Sequence, residues 1–240
     1  MEFLDLSFPT PEHNLACDQA LLQMCEQERS DRALLRLWEA PCHFVVLGYT
    51  NRLRSEVNLE ACTRRGIPIL RRSSGGGAVL QGPGCLNYSL ILPMGAGSPL
   101  ASITGTSSFV LRRHGMVLER LLGEPVEPRG QSDLAIGDRK CSGNAQRRLQ
   151  CYLLFHGTIL LDLDFFVLEQ CLPLPSSQPD YRRGRSHAAF LKNLHLPPER
   201  VGRALRDAWD AHRAAERVPH RMIETLARER YSLREWTFRL

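Results

Sequence analysis

Apolar residues recur at helical spacing in several parts of the chain. The first of these patterns covers residues 15–25, and Thr10 and Pro11 precede it as a typical helix start. A glycine follows two of the later patterns, as is common where a helix ends. Further helices are predicted over residues 58–65 and 107–122, in a segment that begins at Pro197, and over residues 219–230.

Alternating or continuous apolar runs of strand length lie between these helices. Because strands and helices do not alternate as regular βαβ units, we expect an α+β fold with a mixed, mostly antiparallel sheet flanked by helices. Residues 172–186 are rich in Pro, Ser and Arg and are expected to form an irregular loop. The predicted strands cover residues 34–38, 44–47, 67–71, 85–92, 133–136, 140–143, 151–162 (with a break at His156 and Gly157) and 231–240.

The composition is that of an ordinary globular protein, with 43% hydrophobic and 24% charged residues. No apolar run approaches the roughly 18 residues that a membrane-spanning helix needs. The acidic residues near Met1 differ from the basic start of a signal peptide, so we expect a cytoplasmic protein without a membrane partner. The net charge of +5 comes from basic residues spread along the chain, which favours a solvated surface over a nucleic-acid partner.

Lysine is almost absent, although the chain has 31 basic residues. Only Lys140 and Lys192 are lysines, and the other basic residues are arginines. Arginine replaces lysine on a surface at little cost, but it does not replace a compact ammonium group at a reacting centre. Two lysines could also remain by chance, so the surroundings of each lysine decide its interpretation.

A glycine-rich turn follows the strand predicted over residues 67–71. Gly75, Gly76 and Gly77 are consecutive, and Arg71 and Arg72 stand at the entrance of the turn. Consecutive glycines let a ligand approach the backbone, where successive N–H groups can surround an anion, and guanidinium groups suit phosphate or carboxylate. The glycine spacing matches neither a P-loop nor a dinucleotide-binding fingerprint. We therefore interpret the turn as an anion cradle rather than as a flexible hairpin.

The second candidate segment covers residues 132–146 and contains Lys140 among small residues. A lysine directed from a strand into a pocket could neutralise a phosphate and polarise an acyl carbonyl. Asp133 could bind a metal or an amine. A β-hairpin with charged residues at its turn explains the same pattern equally well.

Histidine and cysteine give weaker signals. His156 and Gly157 interrupt an apolar strand, a pattern that favours a core histidine at a β-bulge. The eight cysteines form no CxxC pair and no zinc-binding spacing with histidine, so we expect reduced thiols that lie mostly in the core. The chain also lacks a GxSxG elbow and a convincing Cys–His–Asp spacing.

Several short motifs, taken in order, resemble the lipoate–protein ligase A family. They are Asn14-Leu15-Ala16, Leu35-Arg36-Leu37-Trp38, Val46-Leu47-Gly48, the stretch from Arg71 to Val79, the stretch from Gly137 to Ala145, and His156-Gly157-Thr158. The resemblance covers roughly residues 3–164 and is weaker beyond them. It implies one catalytic domain over residues 1–240, with a core to about residue 186 and a helical part over about residues 187–240. It also implies the fold that lipoate ligases share with octanoyltransferases and biotin ligases.

The resemblance further implies the reaction and its residues. In this family, lipoate and ATP give lipoyl-AMP and pyrophosphate, and the lipoyl group then passes to a lysine of a carrier domain. The carrier is expected to be an E2 subunit, the glycine-cleavage H protein or a specialised lipoate-binding protein. Lys140 matches the essential catalytic lysine, between the acyl carbonyl and the phosphate, and Asp133 is the best nearby carboxylate for Mg²⁺. The residues expected to bind ATP and lipoyl-adenylate are Arg72, Ser74, Gly75, Gly76, Gly77, Ala78, Val79, Leu80, Asp133, Lys140, Ser142, Gly143, Ala145, His156, Gly157 and Thr158.

Two departures from the family pattern keep other reactions open. Many members carry a His-Asp pair after the glycine loop, where this chain has Gln81 and Gly82. Familiar bacterial ligases also carry a small accessory domain, and this chain stops near the point where that domain would begin. A separate small subunit could supply it in a two-part ligase. The other alternative is an octanoyltransferase that moves octanoate from acyl carrier protein through a cysteine, with Cys85, Cys141 and Cys171 as candidates.

Overall fold

The structure, a computed structural model, describes residues 1–95 and 97–240. In these residues the strands are β1 (Glu2–Asp5), β2 (Leu34–Trp38), β3 (Phe44–Leu47), β4 (Ile69–Arg71), β5 (Val79–Gln81), β6 (Cys85–Pro93), β7 (Glu127–Arg129), β8 (Asp133–Ile136), β9 (Arg139–Arg148), β10 (Tyr152–Leu160) and β11 (Arg213–Ala214). The α-helices are α1 (Pro11–Glu28), α2 (Leu53–Glu56), α3 (Leu59–Arg64), α4 (Ile103–Leu122), α5 (Phe165–Cys171), α6 (His187–Phe190), α7 (Pro198–Ala208), α8 (His220–Leu226) and α9 (Arg234–Thr237).

The large sheet contains eight strands in the order β11-β1-β2-β6-β10-β9-β8-β7. The pairs β11–β1 and β1–β2 are parallel, and the other neighbours are antiparallel. This arrangement confirms the expected mixed, mostly antiparallel sheet. A second, smaller sheet has the order β4-β3-β5, and the glycine-rich turn joins its two outer strands.

Helices cover both faces of the large sheet. On one face, α1 contributes Leu21 to a core with Trp38 and Ile91. On the other face, Val110 from α4 and Leu205 from α7 pack with side chains of the central strands. A third cluster lies around the small sheet and includes residues of α3 and α5. The small sheet is therefore fixed by its own core, which positions the turn between β4 and β5.

Most predicted elements are present, with shifted ends. Helix α4 begins earlier than predicted because the hydroxyl of Ser102 accepts a hydrogen bond from the Gly105 amide (2.9 Å) and caps the helix. Strand β9 continues well past the predicted end at residue 143. Residues 172–186 are irregular apart from a short 3₁₀ turn at Asp180–Arg182, as expected.

Two strand predictions are wrong. The predicted break at His156 is absent, because β10 keeps uninterrupted register with both β6 and β9 through Gly157. The predicted strand over residues 231–240 is instead the helix α9, preceded by a π-helical turn at Ala227–Tyr231. Arg71 fixes this end of the chain, since its Nε donates to the Thr237 carbonyl (3.0 Å) and its own carbonyl accepts from Trp236 Nε1 (2.7 Å).

Within residues 1–95 and 97–240, we find no helix whose length and apolar character would suit a membrane crossing.

Candidate active site

Arg72 determines the shape of the glycine-rich turn. Its guanidinium is buried and donates to the carbonyls of Val46 (3.3 Å), Gly75 (2.5 Å) and Gly77 (2.9 Å), and to the Ser74 hydroxyl (3.1 Å). Burial lowers the pKa of Arg72 to about 10, so the group stays charged at neutral pH. The other arginine at the entrance, Arg71, is also buried but donates to carbonyls of residues 48–51 and to Thr237, which leaves it behind the turn.

Carbonyls of the turn are bound by Arg72, whereas the glycine amides of the turn have no hydrogen-bond partner in the described part of the chain. Gly75, Gly76 and Gly77 are all exposed, and in the described part of the chain their N–H groups donate no hydrogen bond to another backbone group. Three consecutive free amides can accept an anion between them. An anion cradle at this turn is compatible with these exposed amides and stays a prediction.

Two close approaches fix the position of the cradle. A Cβ atom on Gly48, at the end of β3, would collide with the Gly76 carbonyl oxygen. Gly76 has φ +89°, and a Cβ atom there would lie 3.8 Å from the Cβ of Ala145. The turn thus lies between the end of β3 and the face of β9 that carries Ala145.

Lys140 and Asp133 form an ion pair between β9 and β8. The Lys140 ammonium lies 2.7 Å from Oδ1 of Asp133, and Oδ2 accepts a hydrogen bond from the Tyr181 hydroxyl (2.8 Å). Burial and the adjacent Asp133 carboxylate raise the pKa of Tyr181, so its hydroxyl remains a donor. The Lys140 side chain is 24% exposed and the Asp133 side chain 9%, so the ammonium is held firmly but stays accessible.

A β-bulge at Cys141 directs Lys140 toward the cradle. In the register of β8 with β9, Leu134 lies opposite Ser142 and Ala135 opposite Lys140, so Cys141 is the extra residue. A Cβ atom on Gly143 would lie 2.7 Å from Lys140 Nζ, which places the ammonium over the face of β9 shared by Gly143 and Ala145. These two residues are about 7 Å apart along the strand. The ammonium and the cradle therefore lie over neighbouring positions of one face.

His156 connects the cradle to a buried ion pair. The Nε2 atom of His156 lies 2.6 Å from the Ser74 hydroxyl, and its Nδ1 lies 3.5 Å from Oδ2 of Asp18. Asp18 also accepts from Nη1 of the fully buried Arg36 (2.6 Å). Burial would raise the pKa of Asp18, but Arg36 and His156 outweigh it and hold the pKa below its ordinary value. His156 is thus not a core histidine at a bulge, as the pattern suggested, but a link between Ser74 and Asp18.

The remaining predicted site residues are mainly structural in their side-chain contacts. Ala78 and Val79 lie half-buried beside the turn, whereas Leu80 is buried in the core around the small sheet. Ser142 is fully buried, and Thr158 donates to Asn87 Oδ1 (2.8 Å). Gly157 makes room for Asn144, whose side-chain oxygen would collide with a Cβ atom there.

The donor set does not fit a magnesium ion held by the protein. Both oxygens of Asp133 are engaged, by Lys140 and by Tyr181, and an ion would have to displace the ammonium. Across residues 1–95 and 97–240, no three His, Cys, Asp or Glu side chains come together as a metal-binding group. The structure therefore does not support the predicted magnesium ligand Asp133, and any ion that accompanies ATP would depend on the phosphates.

The three candidate nucleophilic cysteines are inaccessible. Cys85, Cys141 and Cys171 are fully buried. Burial raises the pKa of Cys85 and of Cys141 to about 12 and also raises the pKa of Cys171, so their thiols stay protonated. Their environments are those of core residues.

Four residues of the site were not identified from the sequence. Tyr181 comes from the irregular loop, and Gly48 leaves room for the close approach of Gly76. Arg36 and Asp18 gave a detectable signal, because each is a charged residue within an apolar pattern. Their pairing, however, depends on how α1 packs against β2.

Comparison with known proteins identifies relatives with both ligase and transferase names. Residues 10–202 match the lipoyl protein ligase A/B catalytic domain. A protein of Aeropyrum pernix named for lipoate-protein ligase A is 31% identical over 216 residues, which is 90% of this chain and 77% of that protein. Octanoyltransferase LipM of Halalkalibacterium halodurans is 25% identical over 274 residues, with 99% of this chain and 98% of that protein covered.

Solved structures show the same fold. A lipoate-protein ligase A bound with ATP superimposes with a TM-score of 0.79 at 24% identity, over 99% of this chain and 98% of the other. A bi-partite lipoate protein ligase from Thermoplasma acidophilum, described with its E2 lipoyl domain, gives a TM-score of 0.79 at 24% identity, over 99% and 95% of the two chains. Together with the domain match over residues 10–202, these findings show that the chain belongs to the lipoyl protein ligase A/B catalytic-domain family.

Proposed function

We propose that this protein activates lipoate with ATP to give lipoyl-AMP and pyrophosphate, and then transfers the lipoyl group to a lysine of a carrier domain. The observation that carries this proposal is the position of Lys140 over the same face of β9 as the glycine cradle. A mixed anhydride needs a site for its phosphate and a cation near its carbonyl. The cradle and the ammonium offer these two features at neighbouring positions.

In the first step, a lipoate carboxylate oxygen attacks the α-phosphorus of ATP, and pyrophosphate leaves. The free amides of Gly75, Gly76 and Gly77 would hold the negative phosphate oxygens. Arg72 would stabilise the turn without touching the phosphate, since its donors are engaged with carbonyls of the turn. Its predicted direct contact with the adenylate stays a prediction.

In the second step, the amine of the carrier lysine attacks the lipoyl carbonyl, AMP leaves with the bonding electron pair, and the proton lost by the amine passes to water. Negative charge develops on the carbonyl oxygen, and the Lys140 ammonium would stabilise it. Asp133 and Tyr181 would hold that ammonium in place through the ion pair and the hydrogen bond at its two carboxylate oxygens. The same ammonium would also stabilise charge on the phosphate in the first step.

Other findings support an ATP-dependent ligase. A solved lipoate-protein ligase A of the same fold binds ATP. The burial and raised pKa values of Cys85, Cys141 and Cys171 disfavour a covalent acyl-cysteine route. The acyl-cysteine route is the alternative, because one relative is named octanoyltransferase LipM. A two-part ligase with a separate accessory subunit is a further alternative, because a ligase of similar fold is described as bi-partite. The E2 lipoyl domain described with that ligase indicates the class of carrier.

The two reactions differ in their requirement for ATP. In one reaction, the protein is incubated with an E2 lipoyl domain, lipoate and Mg-ATP. In a parallel reaction, it is incubated with the same lipoyl domain and octanoyl acyl carrier protein, without ATP. The mass of the lipoyl domain is then measured by mass spectrometry. We expect a lipoyl mass increase only with ATP. An octanoyl increase without ATP would contradict the proposal. If neither product forms, synthetic lipoyl-adenylate tests the transfer step alone, and transfer from it would point to a missing subunit for activation.

A further inference from the structure

Three aromatic rings lie in a row at the C-terminal end of the chain. The rings of Tyr49 and Trp236 are 5.9 Å apart, and those of Trp236 and Tyr231 are 6.5 Å apart. Tyr231 is buried, whereas Tyr49 and Trp236 are partly exposed. The two exposed rings therefore present a surface next to the end of β3.

Three arginines stack on these rings without an acidic partner. The guanidinium carbon of Arg239 lies 3.9 Å from the Tyr49 ring centre and 4.9 Å from that of Trp236. Arg147 stacks on Tyr49 (5.8 Å) and Arg230 on Trp236 (4.8 Å). The ion pairs of the described residues include none of these arginines. Tyr49, Arg147, Arg230, Trp236 and Arg239 are called the Arg–aromatic cluster below.

The Arg–aromatic cluster adjoins the glycine cradle. The Tyr49 amide donates to the Ser74 carbonyl (2.8 Å), directly before Gly75. Arg71 ties the cluster to the small sheet, because it bonds both to the carbonyls of residues 48–51 and to Thr237 next to Trp236. A protein bound on the cluster would therefore lie beside the proposed adenylate site.

We propose that the Arg–aromatic cluster is the docking surface for an acidic face of the carrier domain, an inference that rests on the proposed function. Stacking on aromatic rings holds the guanidinium groups in place. Arg239 Nη2 also donates to the Tyr49 carbonyl (3.3 Å), and guanidinium groups held in this way can present their remaining donors to carboxylates. Tyr, Trp and Arg are also the residues that dominate binding at protein interfaces. Binding here would bring the carrier's acceptor lysine to the mouth of the site.

The position of the arginines favours a protein over the phosphates of ATP. Arg147 and Arg239 have exposed side chains, and Arg147 lies two residues beyond Ala145 on β9, past the cradle. They come from two distant parts of the chain, and Arg230 and Arg239 lie outside the matched family domain at residues 10–202. A broad surface of this kind suits the rim of a protein interface, whereas the amides of the cradle suit a compact phosphate.

The test compares two double charge reversals of equal size. R230E/R239E changes the cluster, and R203E/R221E changes two exposed arginines on α7 and α8, outside the cluster. The probe is the E2 lipoyl domain of Thermoplasma acidophilum, used unchanged and with its surface Asp and Glu residues replaced by Asn and Gln. The readouts are kcat and KM for each substrate, ATP–pyrophosphate exchange with lipoate, and carrier binding by calorimetry without nucleotide.

We expect R230E/R239E to raise the KM for the unchanged lipoyl domain at least tenfold at 50 mM salt, and to weaken its binding in parallel. The difference should shrink at 500 mM salt and with the amide-substituted domain, because it arises from charge attraction. Pyrophosphate exchange and the KM for ATP should stay within twofold, and R203E/R221E should match the wild type throughout.

Other outcomes would overturn the proposal. A raised KM for ATP or lost pyrophosphate exchange would mean that the cluster binds phosphate. Equal carrier binding by both double variants would mean that the carrier docks elsewhere on the chain. No binding by the wild type would contradict a docking surface on this chain. Failure of the proposed function is distinguishable, because the wild type would then show neither pyrophosphate exchange nor lipoylation, while calorimetry would still report on docking.

Discussion

The ammonium of Lys140 lies directly over Gly143, so closely that a Cβ atom on Gly143 would approach Nζ to 2.7 Å. Glycine at this position therefore creates the space in which the ammonium reaches the face of the cradle. Asp133, whose carboxylate pairs with the ammonium, lies directly opposite Gly143 on the neighbouring strand β8. One cross-strand pair thus provides both the space and the counter-charge.

Gly143→Ala should displace Lys140 and lower kcat for lipoylation about 100-fold, since a misplacement of about 1 Å can cost that much. The fold should be retained, because the neighbour that must move is the end of a long side chain. The matched control is Gly95→Ala, where the nearest atom lies 4.0 Å from the added methyl group. Steady-state kinetics and circular dichroism of both variants check this expectation, and unchanged kcat in Gly143→Ala would contradict the assigned position of Lys140.

Asp133→Asn should lower kcat more than it raises the KM for ATP or lipoate, because Asp133 positions Lys140 and need not touch substrate. We expect a fall of about 10- to 100-fold. Tyr181→Phe should cost less, about threefold to tenfold, and should have little further effect in the Asp133→Asn background, since the hydroxyl acts through this carboxylate. A double-mutant cycle measures this coupling. Fully additive losses would show that Tyr181 acts independently of Asp133.

The pair of Asp18 with Arg36 should make stability fall in acid. The pKa of Asp18 is held below its ordinary value of 3.8, so the ion pair contributes fully above that pH and is lost as pH falls below about 4. Asp18→Asn should cost about 3 kcal/mol at pH 7, because Arg36 would remain buried without its counter-charge. Urea unfolding at pH 7 and pH 3 measures both effects. The variant should lose less stability between these two pH values than the wild type, and an equal loss would contradict the expectation.

The cysteines should be dispensable for lipoylation. Cys85→Ala, Cys141→Ala and Cys171→Ala remove buried thiols that are protonated at neutral pH, so each should retain at least half of the wild-type kcat. Alanine is preferred over serine because a buried hydroxyl would need a hydrogen-bond partner. The exposed Cys42 offers a surface control, as Cys42→Ala. A folded but inactive variant would favour the transferase route instead.

The sequence predicted the secondary structure better than the contacts between distant residues. Apolar periodicity predicted α1, β2 and β6, because these elements bury continuous apolar faces. It failed at His156, whose polar ring lies in an unbroken strand and reaches Ser74 and Asp18. It also failed at residues 231–240, where Trp236, an aromatic residue typical of strands, lies in the helix α9 and donates to the Arg71 carbonyl.

The scarcity of lysine made Lys140 a candidate, and the consecutive glycines predicted a turn, which the structure shows to be exposed. The sequence alone could not show that a bulge at Cys141 turns Lys140 toward the face of Ala145. It also could not bring Tyr181 to Asp133, since a loop position depends on the elements packed beneath it. Arg71 and Arg72 looked equivalent in the sequence, yet only Arg72 supports the cradle from within.

Exchanging each of the two lysines for arginine tests the role of Lys140 most directly. Lys140→Arg keeps the charge but replaces a compact ammonium by a planar group, whereas Lys192→Arg makes the same exchange at an ammonium that pairs with Glu124 (2.8 Å). The measurement is ATP-dependent lipoylation of an E2 lipoyl domain, with pyrophosphate exchange recorded in parallel. We expect at least a 100-fold loss in both assays for Lys140→Arg and near wild-type rates for Lys192→Arg. Near wild-type rates for Lys140→Arg would contradict the assigned role of Lys140.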